Sequence, residues 1–229
     1  MAGRAFLLVA LLLALAGCGG EDETSEEAVA PTTTAGPAQA TQTTQAEGGC
    51  RQVEQPEAKE DGGQQQPKTG LAAGKTYRIE VTTSCGAFTI TLDPESAPRT
   101  TASFVALARK GYFDGTVFHR IVPGFVIQGG DPTATGMGGP GYTTVDPPDA
   151  GVSYTRGVVA MAKAGNEPNG AAGSQFFVVT APDAGLPPEY AVIGRVTRGL
   201  PVVERIEALG DATTEQPLRP VVVERMRVL

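Results

Sequence analysis

The chain has no tryptophan, one histidine and three cysteines among 229 residues, and aromatic side chains make up only 6% of it. With a single imidazole, His119, chemistry that needs two histidines is out of reach, and no cluster suggests a metal site. Positive charge is also scarce: 18 lysines and arginines face 25 acidic residues, for a net charge of −7. That balance lacks the basic excess of a nucleic-acid binder, so nucleic acid is not an expected partner. No long apolar run is present either. The longest, AFLLVALLLALA at residues 5–16, is too short to span a bilayer with ease. There is no internal repeat.

That run follows Arg4, which makes residues 1–17 read as an export signal. The LAGC that ends it, Leu15 to Cys18, resembles a bacterial lipobox, in which the cysteine thiol takes a diacylglyceryl group before cleavage. The expected mature chain therefore begins at a lipidated Cys18, anchored to a membrane and extracytoplasmic. Two or more acyl chains suffice for stable anchoring.

Residues 18–74 are rich in Thr, Gln, Glu, Pro and Gly and poor in large apolar side chains. Such a stretch cannot bury enough surface to offset its ordering entropy, and it reads as a disordered tether. From Gly19 to Lys75 there are ten acidic and four basic residues, whereas Thr76 to Leu229 has fifteen and thirteen, so most of the acidity belongs to the tether. Once Cys18 is lipidated, Cys50 and Cys85 remain, and an oxidising compartment predicts a disulfide between them that pins Arg51 to Lys75 against the domain.

Residues 75–229 have the pattern of a β-rich domain. TYRIEVTT and GAFTITLD, separated by Ser84 and Cys85, predict an antiparallel hairpin. A helix follows, with Ser96 as its expected cap, Pro98 in its first turn, Phe104, Leu107 and Ala108 on one face, and Arg109-Lys110-Gly111 as its stop. TVFHRIVPGFVIQGG resumes strand character around a Pro-Gly turn, and GVVAMA, SQFFVVT and YAVIGRVT are further strands. LPVVERIEALG predicts a second helix, with Leu200, Val203 and Ile206 at helical spacing and Gly210 as its stop, and RPVVVERMRVL closes the chain as a strand. Many short strands with two separated helices fit a closed or nearly closed barrel with helical plugs.

Four blocks, FHRIVPGFVIQGGD, GVVAMAKAG, GSQFFVVT and YAVIGRV, in this order, resemble the signature of the cyclophilin family of peptidyl-prolyl cis-trans isomerases, and the resemblance runs from about Tyr77 to Leu229. It implies a mainly β fold, a closed eight-stranded antiparallel barrel capped by two helices, in a monomer without cofactor or metal. It implies Arg120 as the catalytic residue, a proline pocket of Phe125, Val126, Phe177 and Leu186, substrate hydrogen bonds at Gln128 and the backbone of Ala162 and Lys163, a supporting Gln175, and Tyr190 where many members carry histidine. The expected partners are proline-containing exported polypeptides whose folding the protein assists.

These residue types suit the chemistry. Rotation about an X-Pro bond is opposed by amide resonance with a barrier of about 18–20 kcal/mol. No bond breaks, so neither nucleophile nor acid-base pair is required. A permanently charged donor fork aimed at the prolyl nitrogen, beside an apolar pocket for the ring, favours the twisted amide. That accounts for an arginine placed at the start of an apolar strand. His119 is read as a flank with no chemical role. Ser174 lacks the G-x-S-x-G elbow of a hydrolase, and a Ser-His triad is not expected. The family's rim indole is absent, with Gly185 near its place, which implies weak cyclosporin binding. Two other readings stay open here: a non-catalytic module or chaperone that binds proline segments, and an anchored barrel holding a small ligand in its interior.

Overall fold

The computed structural model describes residues 49–229. The export signal, Cys18 and the first part of the expected tether lie outside the described residues.

The first hairpin forms where β-branched residues alternate with polar ones. Strand β1 (Arg78–Thr83) pairs antiparallel with β2 (Gly86–Leu92), Thr83 opposite Gly86, so that Ser84 and Cys85 make a two-residue turn. Ile79, Val81, Phe88, Ile90 and Leu92 point inward and are buried. Helix α1 (Pro98–Arg109) then places Phe104, Val105, Leu107 and Ala108 in the core. Its expected cap, Ser96, does something else: its hydroxyl donates to Asp93 at 2.7 Å, within a turn in which Asp93 also accepts two backbone N–H groups. The cap residue is Ala97, with no side-chain cap bond, and the orphan N–H of Thr100 is satisfied at 2.6 Å by Asp146, 46 residues downstream. Local spacing could not reveal a cap supplied from so far away.

The remaining elements are β3 (Thr116–Val117), β4 (Arg120–Val122), β5 (Val126–Gly129), β6 (Thr144–Val145), β7 (Val158–Met161), β8 (Ala171–Ala172), β9 (Phe176–Val179), β10 (Val192–Arg198), α2 (Leu200–Glu207) and β11 (Val222–Val228). In α2 the buried positions are Val202, Val203 and Ile206, while Leu200 is half-buried.

Nine strands form one antiparallel sheet in the order β3-β11-β1-β2-β10-β7-β9-β5-β4, and β6 pairs with β8 apart from it. The mainly β architecture with two helices is as expected, but the sheet has nine strands in place of eight and is a curled half-barrel, not a closed barrel, because its edge strands β3 and β4 do not pair with each other. The edge strands β3 and β4 are separated by only Phe118 and His119 in sequence, so the chain itself steps from one edge of the curled sheet to the other, with Phe118 fully buried at the crossing.

Strand alternation gives the sheet two faces with different uses. Ile121, Ile127, Val159, Met161, Phe176 and Val178 belong to the main core with both helices. Their neighbours Val126, Val158, Ala160, Phe177 and Val179 form a second, outward-facing cluster. Close packing at the strand end requires a glycine at 130: its φ is +86°, and a Cβ there would lie 2.5 Å from the Ser174 carbonyl oxygen.

The second half of the expected tether is not loose. Cys50 is disulfide-bonded to Cys85, and Arg51 forms an ion pair with Glu224. Lys59 donates to the carbonyls of Tyr112 and Asp114 at 2.5 and 3.1 Å, and Gly62 and Gln64 donate to the carbonyls of Gly139 and Pro140. Leu71 packs against the main core. Low apolar content alone implied disorder for this stretch; a covalent bond and backbone pairing with the domain supply the ordering that apolar burial does not.

Candidate active site

Arg120 opens β4, and the three-residue turn Pro123–Phe125 returns the chain into β5 so that Arg120 stands opposite Gln128. Gln128 in turn stands opposite Phe177 on β9, and Phe177 opposite Ala160 on β7. The register therefore sets Arg120, Gln128 and Phe177 in one row on the outer face, two residues from Val126 and Val179. Around this row lies a cavity of about 170 Å³ lined by Arg120, Phe125, Val126, Gln128, Ala162, Lys163, Phe177, Leu186 and Tyr190.

The apolar wall is ordered by aromatic contacts. Phe177 and Tyr190 meet edge to face at 5.5 Å, and Tyr154 packs on both. Tyr154 also fixes Tyr190 by its backbone, donating to the Tyr190 carbonyl at 2.8 Å and accepting its N–H at 3.0 Å. Burial raises the Tyr154 phenol above its ordinary pKa, so it stays a donor. Leu186 closes another side. Gly185, at φ +62° with nothing near its Cβ position, leaves the rim beside it open.

The polar wall is a chain of side chains. Arg120 donates through Nε and one terminal nitrogen to Glu215 Oε2, each at 2.8 Å, and through its other terminal nitrogen to Gln128 Oε1 at a long 3.5 Å. Gln128 donates to Gln175 Oε1, and Gln175 to the Gly138 carbonyl, both at 3.0 Å. Gln175 thus lies outside the 170 Å³ cavity and steadies Gln128 from behind. The Arg120 guanidinium sits 6.0 Å from the Phe125 ring centre, within cation–π range.

Two positions differ in detail from the sequence expectation. The Ala162 N–H already donates to the Gln175 carbonyl at 2.9 Å, which leaves only the Ala162 carbonyl for a bound peptide. The Lys163 side chain is 3% exposed, paired with Glu189 at 3.0 Å and lying 5.7 Å from the Tyr190 ring centre, so it forms part of the wall. Glu215 and Tyr154 were not singled out from the sequence. Glu215 reaches the site from 95 residues beyond Arg120, and its one local sign is conformational: it holds a left-handed φ of +58°.

His119 lies beside the site, not in it. Burial lowers its pKa against the pull of Asp131, and Arg120 adds to the lowering. Both ring nitrogens are buried without a hydrogen-bond partner among the described residues. Asp131 is fully buried, which alone would raise its pKa. Hydrogen bonds from the Thr133 N–H and hydroxyl and from the N–H groups of Gly138 and Gly136 prevail and hold it below the usual carboxylate value.

The model of the family described as cyclophilin type peptidyl-prolyl cis-trans isomerase matches residues 78–228. A peptidyl-prolyl cis-trans isomerase of Arabidopsis thaliana is 38% identical over 160 residues, covering 68% of this chain and 96% of its own. One from Schizosaccharomyces pombe is 40% identical over 146 residues, covering 62% of this chain and 92% of its own. The crystal structure of a cyclophilin type isomerase from Cryptosporidium parvum superposes with a TM-score of 0.62 at 28% identity, over 68% of this chain and 98% of that one. A second structure, of the same parasite enzyme in the presence of the dipeptide Ala-Pro, gives 0.62 at 30% identity, over 66% and 98%.

Proposed function

Since the chain belongs to the cyclophilin-type peptidyl-prolyl cis-trans isomerases, we propose that it turns over X-Pro bonds of exported polypeptides at the outer-face cavity, with Arg120 as the catalytic residue. The observation that carries this reading is the placement of the Arg120 fork at the edge of an apolar cavity of about 170 Å³. Such a cavity suits a ring-sized apolar side chain.

Glu215 occupies Nε and one terminal nitrogen of Arg120, and the other terminal nitrogen faces Gln128 across a weak 3.5 Å contact. That nitrogen is the one free to donate to the prolyl nitrogen as the amide twists and the nitrogen regains its lone pair. A charge-assisted bond of this type contributes about 1.5–3 kcal/mol. A turnover of 10–1,000 per second lowers the barrier by roughly 3–6 kcal/mol. The rest comes from excluding water around the ring at Phe125, Val126, Phe177 and Leu186, which favours the less polar twisted amide. Gln128 and the Ala162 carbonyl hold the peptide on either side. The Cryptosporidium parvum enzyme was crystallised with Ala-Pro, which recommends that dipeptide sequence as the probe. Exchange spectroscopy on a short Ala-Pro peptide should show line broadening, with an exchange rate that the Arg120→Ala variant reduces at least about tenfold.

The export half of the proposal rests on residues 1–18, the leader and Cys18. Lipid on Cys18 holds the enzyme at a membrane outside the cytoplasm, and the Cys50–Cys85 disulfide fits an oxidising compartment. The mass of the N-terminal peptide should carry the acyl groups on Cys18, and Cys18→Ser should release the protein from the membrane fraction. A Cys18 peptide of unmodified mass from membranes would end the lipoprotein reading and leave the isomerase reading intact.

A further inference from the structure

Five arginines widely spaced in sequence come together on one face of the sheet. Strands β11, β1, β2 and β10 are consecutive neighbours, and their register aligns Arg227, Glu80, Thr89 and Arg198 in one row and Arg78, Thr91 and Arg195 in the next, with Arg225 opposite Thr82. All five arginines are exposed, because the alternate positions Ile79, Val81, Ile90 and Met226 take the core side. Glu80 is the one carboxylate in these rows. Among the described residues the ion-paired cations are Arg51, Arg120, Arg156 and Lys163, and none of the five belongs to that set. Arg195 alone is partly engaged, donating to the Arg156 carbonyl at 3.0 Å. The segment Thr76 to Leu229 is net negative, so this face is a segregation of charge that composition concealed.

We infer that this arginine face docks the domain onto an anionic membrane surface. It is about 15 Å across four strands, and the other residues of its rows are threonines, Glu80 and Ala87, with no aromatic or methionine anchor of the type that carries protein–protein interfaces. A charged face without anchors matches lipid phosphates, which are presented in a plane and need no pocket. The chain's N-terminal side also joins the domain at this end: Cys50 is bonded to Cys85 in the β1–β2 turn, between two of the strands that form the face. The isomerase cavity belongs to the outer face of β4, β5, β9 and β7, the other half of the curled sheet, so docking leaves it open to clients. The choice of a membrane as partner rests on the extracytoplasmic, anchored reading above, whereas the face itself does not.

The test uses residues 18–229 carrying Cys18→Ser, so that neither leader nor acyl chain contributes, in sedimentation with vesicles. Phosphatidylcholine vesicles containing about one-third phosphatidylglycerol should bind the protein at low salt, pure phosphatidylcholine vesicles should not, and added salt should release it. Each arginine removed should weaken binding by about fivefold. Arg195→Gln, Arg198→Gln, Arg225→Gln and Arg227→Gln combined should therefore abolish it, while the four lysine substitutions retain most of it and both variants keep the isomerase rate. Glycerol phosphate should displace no more protein than sodium chloride at equal ionic strength. The inference is overturned if the vesicles bind nothing at low salt, if the glutamine variant binds as well as the parent, or if duplex DNA or polyglutamate binds and vesicles do not. None of these results alters the mass of the Cys18 peptide, which tests the anchor separately.

Discussion

Glu215 grips Arg120 from behind, its Oε2 accepting from both Nε and a terminal nitrogen at 2.8 Å, while its own backbone carbonyl accepts the N–H of Ile121 next to that arginine. A non-glycine residue at φ +58° costs about 1 kcal/mol or more, and the surrounding turn holds it there. The Glu215 N–H donates to Asp211, whose carboxylate caps the turn by accepting from Thr213 and Thr214. A strained residue that contacts the proposed catalytic side chain through both backbone and carboxylate is a positioning residue. Glu215→Ala should lower kcat by about 3- to 10-fold with KM within twofold, since the fork acts in the twisted state. Glu215→Gln should recover part of the loss. Both groups are partly exposed, so the melt should move little. A loss confined to KM, or to thermal stability, would make the pair merely structural.

Cyclosporin should inhibit only at concentrations far above those that saturate tryptophan-bearing family members. The rim beside Leu186 is Gly185, with open space at its Cβ position, and the chain has no tryptophan to supply the missing surface and N–H donor. Losing such an anchor commonly removes more than about 1 kcal/mol. Titration against the exchange assay decides it; stoichiometric inhibition would contradict the geometry.

The pH behaviour should separate stability from activity. Burial lowers the pKa of His119, so the folded state prefers the neutral ring. The associated stability is present in full above the unfolded value of about 6.5 and is lost as pH falls below it, through the lower folded value. Melts should therefore decline below about pH 6.5, and His119→Gln should flatten that decline. Asp131 belongs to a more acid window, since its pKa is held below the usual carboxylate value. Wild-type kcat/KM should stay nearly flat from about pH 6 to 9, because rotation about the X-Pro bond transfers no proton. A bell-shaped profile would point to acid-base chemistry instead.

Replacing Cys50 and Cys85 by serine should cost about 3–4 kcal/mol for a loop of this length. That corresponds to a fall in melting temperature of roughly 6–16 °C. The arm should then detach, and the amides of Lys59, Gly62 and Gln64, which now donate to Pro132, Gly139 and Pro140, should exchange faster with solvent. An unchanged melt and unchanged protection would show that backbone pairing alone holds the arm.

What the sequence made legible follows from where the information resides. The hairpin at Ser84-Cys85, both helices and the strand run around Pro123-Gly124 are encoded by local periodicity and turn residues, and all appear. Arg120 and its pocket residues were legible only through the family resemblance of the four blocks, and the register of β4, β5 and β9 sets Arg120, Gln128 and Phe177 side by side. The misses are all long-range. Asp146 caps α1 from 46 residues away, Glu215 reaches Arg120 across 95, and the five outward arginines meet only once β11, β1 and β10 share a sheet. For the arm the sequence points two ways: its composition argues for disorder, whereas Cys50 and Cys85 suggest a disulfide that pins it, and the structure holds it by that disulfide together with backbone bonds no local pattern reveals.

The most direct test of the central claim is kcat/KM on an X-Pro peptide for Arg120→Ala, measured beside its thermal melt. It should fall by at least about tenfold, carried mainly by kcat, with the melt close to wild type and little rescue by Arg120→Lys, whose flexible ammonium cannot reproduce a fork held by Glu215. Full activity with an unchanged melt would contradict that claim, reducing Arg120 to a surface charge and leaving the outer-face cavity as a binding site without a catalyst.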